Sequence, residues 1–246
     1  MMKPGEKSKL LKELKGLTAQ ELVQRCTCLI EENREVPASI VRRLEDYQRV
    51  LQMSAFDAGF HARPLAGVDE AGRGPLAGSV YTAAVIFSEN TVIEGLNDSK
   101  KLSEKKREAL FDEIIKKALS YAIVPVDCSV IDKINIRNAT YQGMNQAVNA
   151  LSVSPAHVLI DGDAVKDMQL PHSCVIHGDA QSLAISAASI LAKVSRDRYM
   201  VELDAQYPQY GFAKHKGYGT RQHIDALQKY GPCPIHRRTF LKNFGF

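Results

Sequence analysis

The chain has 246 residues, is 45% hydrophobic and 24% charged, and carries a formal net charge of +4. That length and balance suit one large domain, or one domain with an appendage, with material for a real core. No run approaches the roughly 18 apolar residues of a membrane span, no secretory apolar stretch follows the lysine-rich start, and five cysteines without a C-x-x-C pair read as free thiols in a reducing cytoplasm rather than as a zinc site. The mild basic excess is compatible with a nucleic-acid partner without requiring one.

Residues 1–62 read as a helical N-terminal extension. Leu10, Leu11, Leu14 and Leu17 form one short stripe, and Thr18-x-x-Glu21 is a capping box ahead of Leu22, Val23 and Leu29. Ile40, Leu44 and Leu51 mark a third helix. Arg63-Pro64 ends the segment, because the residue before proline avoids helix.

From residue 65 strands and helices alternate, which predicts an α/β domain over residues 63–246. Strands are expected at residues 65–70, 81–87, 121–127, 157–161 and 173–177. Pro125 makes the third of these an edge or a bulged strand. A helix should start near Ser103, with Leu110, Phe111, Ile114, Ile115 and Ala118 on its buried face. Ile136, Thr140, Met144, Ala147 and Leu151 keep helical spacing. A long helix should run from about Asp179 to residue 205, and another over residues 220–229.

Four carboxylates fall at element boundaries. Asp69 and Glu70 end the first strand, Asp161 ends "VLID", and Asp179 precedes the long helix. Ligands of α/β sheets collect at the carboxyl ends of strands, so distant acids can converge there. Each acid also has a plain structural reading: Asp179 as an N-cap and Asp161 as the turn residue of Asp-Gly. The adjacent pair is harder to explain that way. Neighbours on a strand face opposite sides, and an unpartnered buried carboxylate is costly. Acids meeting in one cleft repel each other, and a hard divalent cation relieves that repulsion. Two such ions can flank a phosphodiester during hydrolysis.

The long helix carries a second row, Ser182, Ser186, Ser189, Lys193 and Arg196, opposite its apolar stripe. As an open polar face it would suit a phosphate backbone. Lys100 and Lys101 form a further basic cluster with Lys105, Lys106 and Arg107. The glycine-rich pieces "GRGPLAG" and "HKGYGT" lack the spacing of a nucleotide loop.

The ordered motifs "GVDEAGRGPLAG", "LNDSKKLSEKKR", "LIDGD", "HGDAQSLAISAASILAKVSRDR", "YPQYGFAKHKGYGT" and "HRRTF" resemble bacterial ribonuclease HII over about residues 65–242. The resemblance implies an RNase H-like α/β fold, a mixed central sheet flanked by helices with a C-terminal helical part. It implies a metal-dependent endoribonuclease, using Mn²⁺ or Mg²⁺. Such an enzyme cleaves the RNA of RNA–DNA hybrids and cuts 5′ of ribonucleotides embedded in duplex DNA, leaving 3′-hydroxyl and 5′-phosphate ends. The family's catalytic and metal-holding acids match Asp69, Glu70, Asp161 and Asp179. Its 2′-hydroxyl-sensing element matches Gly72, Arg73 and Gly74, and the tyrosine that packs on the next sugar matches Tyr218. Lys100, Lys101, Lys193 and Arg196 are the candidate phosphate contacts. A soluble cytoplasmic monomer is expected. The alternatives are a ribonuclease HIII-like nuclease confined to longer hybrids, or a non-catalytic hybrid-binding protein. The first conflicts with Gly-Arg-Gly and the aspartate at 179, the second with the intact set of four acids.

Overall fold

Successive strand residues face opposite ways, so strand β2 (Val80–Phe87) sends its side chains into two separate layers. Ala83 and Val85 enter one apolar layer, Ala84 and Ile86 another. A strand apolar on both faces must be covered on both. A computed structural model of the chain describes residues 4–246, so the first three residues of the lysine-rich start lie outside the described residues.

The sheet has five strands in the order β3-β2-β1-β4-β5. They are β1 (Leu65–Ala71), β2, β3 (Ala118–Val126), β4 (His157–Asp161) and β5 (His172–Val175). β1 is central, antiparallel to β2 and parallel to β4. β3 is an edge strand, with Pro125 opposite Tyr81 and a register shift at Ile86/Phe87, so proline removes no interior ladder bond. The sheet is therefore mixed and flanked by helices, as the resemblance implies. Some boundaries differ from the sequence reading. Ala118 leaves the preceding helix α4 (Glu104–Lys117) and opens β3 directly. β5 stops at Val175 because His177 adopts a left-handed backbone.

One face of the sheet is covered by helix α6 (Leu183–Gln206), α4 and two residues of α3 (Ala38–Ala58), Val50 and Met53. The other is covered by α5 (Cys128–Asn149) through Met144, Ala147 and Val148. α5 begins earlier than its spacing suggested, kinks at Asn135, and ends before Leu151. α6 approaches β1 so closely that a Cβ on Gly67 would lie 2.2 Å from the carbonyl carbon of Ala184. Only glycine permits that approach. α6 is consequently buried nearly all round. Ser182 and Ser186 are fully buried, Ser189 is 6% exposed and Arg196 is 1% exposed. The expected open polar face is thus an interior face, and only Lys193 of that row reaches solvent appreciably.

The N-terminal segment divides by packing. Helices α1 (Pro4–Lys15) and α2 (Ala19–Glu31) form a small cluster with Ile40 of α3, built on Leu14, Leu22 and Leu29. The Thr18/Glu21 capping box is present. The second half of α3 belongs to the main body: beyond Val50 and Met53, Asp57 Oδ2 accepts from the Ala184 N–H at 2.9 Å, in the first turn of α6. The C-terminal part adds α7 (Phe212–His215), α8 (Arg221–Tyr230) and α9 (Arg238–Leu241), which pack on Leu76, Met200 and Tyr210. No described helix is long and apolar enough to cross a membrane.

Candidate active site

Asp69 sits two residues before the end of β1, with Ala83 opposite it on β2. Burial reaches through Asp69, which is 5% exposed, and relaxes at Glu70 and Ala71. The two acids therefore face different surroundings. Asp69 Oδ1 accepts the Glu70 N–H at 2.7 Å, and the Glu70 carboxylate lies 3.3 Å from the Arg73 guanidinium. Because β4 runs parallel beside β1, Asp161 emerges at the same end of the sheet, and Asp69, Glu70 and Asp161 line one cleft of about 370 Å³.

Asp179 is not the N-cap of the long helix. Residues Gly178–Ala180 form a separate short 3₁₀ turn, and Ser182 caps α6, its Oγ accepting from the Ile185 N–H at 3.2 Å. Asp161 in turn holds that 3₁₀ segment, Oδ1 accepting from the Gly178 N–H at 2.6 Å. The Asp179 carboxyl is left within the field of Asp161 and Asp98.

The electrostatics follow from this crowding. Burial, then the charges of Glu70 and Asp161, pushes the Asp69 carboxyl well above the ordinary carboxylate range. Burial also raises Glu70, with Arg73 opposing it. Asp179 is raised by burial and then by Asp161 and Asp98. A site of this kind favours binding of a cation or a proton. Among the described residues no three His, Cys, Asp or Glu side chains close into a ready-made metal cage. The donor set nevertheless fits a hard ion such as Mg²⁺, which takes one or two carboxylates and completes its shell with water and substrate phosphate.

The other expected residues fall around the same opening. Gly72, Arg73 and Gly74 form one lip of the cleft, and Tyr218 lies near the opposite end of that lip, 46% exposed, with Gly74 within reach of its ring. Lys100 lines the cleft and opposes the raised pKa of both Glu70 and Asp179. Lys193 also lines it, its Nζ donating to Asp197 Oδ1 at 2.7 Å. Two basic residues are placed otherwise. Lys101 is outside the cleft lining, largely exposed and 3.7 Å from Asp98. Arg196 touches the cleft but is buried, its Nε and Nη2 donating to the carbonyls of Ser79, Ala77 and Lys216. With those three bonds Arg196 braces the backbone around a cleft that it also lines.

Sequence reasoning missed several contributors. Ser99 and Ser189, both in the cleft lining, are hydrogen-bonded at 3.0 Å, tying the "NDSKK" turn to α6. Arg107 donates to the Ser99 carbonyl at 3.0 Å and lies 3.8 Å from Asp197, so the same turn is anchored a second time. Arg237 binds the carbonyls of Gly72, Arg73 and Gly78 from behind. Spacing carries no signal for such contacts, because the partners lie far apart in sequence.

Comparison with known proteins agrees with the geometry. The family model described as Ribonuclease HII matches residues 66–243. A ribonuclease HII of Caldicellulosiruptor bescii is 56% identical over 181 residues, 74% of this chain and 88% of the relative. One from Acetivibrio thermocellus is 46% identical over 244 residues, 95% of each chain, and so extends across the N-terminal helices. The crystal structure of the ribonuclease H2 from Pyrococcus horikoshii OT3 superposes with a TM-score of 0.62 at 30% identity, covering 71% of this chain and 92% of its own. The chain belongs to the ribonuclease HII family, the type 2 ribonucleases H.

Proposed function

We propose that the protein hydrolyses the RNA strand of RNA–DNA hybrids and cuts 5′ of ribonucleotides embedded in duplex DNA, leaving 3′-hydroxyl and 5′-phosphate ends. It does so as a cytoplasmic monomer, with Asp69, Glu70, Asp161 and Asp179 as the metal-holding acids. The observation that carries this reading is the cleft lined by Asp69, Glu70 and Asp161, with Asp179 near enough for the charge of Asp161 to raise its pKa. When bound there, Mn²⁺ or Mg²⁺ would supply Lewis acidity at the scissile phosphate and a counter-charge to the acids.

The protein's own groups divide the remaining work. Lys100 and Lys193 stand beside the acids and attract the phosphate backbone. Gly72, Arg73 and Gly74 offer backbone to the 2′-hydroxyl, the group that distinguishes RNA from DNA at one nucleotide. Tyr218 offers an exposed ring to the following deoxyribose, where an added hydroxyl would clash. The test is cleavage of a DNA duplex containing one ribonucleotide, with Mn²⁺, with Mg²⁺ and with chelator. One cut 5′ of the ribonucleotide, dependent on the ion, is expected. No cut with either ion, alongside cleavage of a long hybrid, would remove the single-ribonucleotide part of the reading.

A further inference from the structure

Two arginines, far apart in the chain, are buried behind the lip of the cleft. Arg237 is 0% exposed and Arg196 is 1% exposed. Arg237 Nε donates to the Gly78 carbonyl at 2.9 Å, Nη1 to that of Arg73 at 2.9 Å and Nη2 to that of Gly72 at 2.7 Å. Arg196 takes the carbonyls of Ala77, Ser79 and Lys216. Its guanidinium carbon is 5.9 Å from the centre of the Tyr218 ring. The lip and the tyrosine therefore rest on the same pair of cations.

Burial, and then the neighbouring charge of Arg196, lower the Arg237 pKa to about 9, so the pairing is unfavourable by itself. Such an arrangement is stable only when the donors are well used. Here five of the six acceptor carbonyls belong to one loop, residues 72–79, and the sixth is that of Lys216. The backbone is tied at further points: Leu76 N–H donates to Gly217, Gly78 N–H to Ile235, and Arg237 N–H to Leu76, each at 2.9 Å. By contrast, the N–H groups of Arg73 and Gly74 have no backbone acceptor among the described residues. The carbonyl side of the lip is thus bound to the interior, while the donor side is left for a ligand.

We propose that Arg237, assisted by Arg196, is a positioning residue that presets the Gly72–Gly74 backbone to recognise the ribose 2′-hydroxyl, and so sets junction specificity without touching the substrate. This rests on the single-ribonucleotide reading above. Lysine in place of Arg237 keeps a charge but cannot span three carbonyls. Loss of charged hydrogen bonds to the lip should cost about tenfold or more on a substrate that needs it.

The experiment measures kcat/KM of wild type and Arg237→Lys on two substrates, a duplex with one ribonucleotide and a long RNA–DNA hybrid, in saturating Mn²⁺. The expected result is a loss of about tenfold or more on the first and about threefold or less on the second. Equal losses on both would overturn the proposal and make Arg237 structural only. If wild type itself ignores the single ribonucleotide, the functional reading fails first, and the proposal with it. A second measurement covers a variant that does not fold. Hydrogen exchange on the wild type should show the Leu76, Gly78 and Arg237 amides protected before nucleic acid is added. Protection that appears only after the ribonucleotide-containing duplex is added, with metal chelated, would mean the lip is not preset.

Discussion

Gly72 lies directly against the guanidinium of Arg196. A Cβ at Gly72 would fall 2.0 Å from Arg196 Nε, and Gly72 has a φ of +95°, in the region that side chains disfavour. The glycine is thus required by the protein's interior, whatever approaches from outside. Gly74 differs. Its Cβ would meet only Tyr218 Cε1, at 3.7 Å, an ordinary contact.

These two glycines separate folding from recognition. Gly72→Ala should destabilise the protein by about 1–3 kcal/mol through strain and displacement of Arg196. Gly74→Ala should leave stability within about 0.5 kcal/mol while weakening cleavage of ribonucleotide-containing duplex, since its methyl intrudes on the lip. Urea unfolding and steady-state cleavage of the two variants decide the matter. Wild-type activity in Gly74→Ala would mean that nucleic acid does not press against this residue.

Asp69 carries the opposite balance. It is buried among like charges, so Asp69→Asn should abolish cleavage and yet raise the stability of the metal-free protein by about 1–3 kcal/mol. Asp161→Asn should also abolish cleavage, but its carboxylate holds Gly178 at 2.6 Å, so no gain in stability is expected. Thermal unfolding in chelator and in Mg²⁺ checks both. The ion should stabilise the wild type and have little effect on either variant. Retained turnover in Mg²⁺ would refute the assignment of these acids.

His223 of α8 and His236, just ahead of α9, share a 3.0 Å contact between their Nε2 atoms, and both are buried. Burial lowers both to about 4, from an ordinary histidine value of 6.5. A depressed folded-state pKa means that the unfolded chain binds the extra protons. Their contribution is therefore complete above about pH 6.5 and lost as pH falls towards 4, up to about 3 kcal/mol for each histidine. Unfolding free energies at pH 7, 5.5 and 4.5 should show this slope, and His223→Gln should flatten it. An unchanged slope in the variant would assign the acid sensitivity to the carboxylates.

The N-terminal helices should tolerate truncation unevenly. Removing residues 1–36 deletes the cluster around Leu14, Leu22 and Leu29 but leaves all of α3. Removing residues 1–60 also takes Val50 and Met53 out of the main core, and Asp57 off the first turn of α6. Each lost core side chain is worth about 1.5–3 kcal/mol. The shorter deletion should retain cleavage and a cooperative melt, while the longer one should melt much lower. Equal melting temperatures would place all three helices outside the catalytic body.

Much of this was legible in the order of the residues alone. Alternation and apolar runs located the strands, because a side chain's face follows directly from its position along a strand. Acids at strand ends stood out because carboxylates at apolar termini are costly without a purpose, and the ordered motifs supplied the family. Which groups meet depends instead on how the chain folds. The serines and Arg196 of α6 have the spacing of a polar face, but Gly67 and Gly72 let other segments press onto that helix and bury it. Asp179 has the position of an N-cap, yet a short 3₁₀ turn gives that role to Ser182. α3 reads as an appendage, but Val50, Met53 and Asp57 join it to the core. Arg237 reads as one of a basic pair near the C-terminus, and the fold brings it to carbonyls more than 150 residues earlier in the chain. Periodicity reports the faces of single elements, whereas hydrogen bonds between distant segments depend on how those elements close around one another.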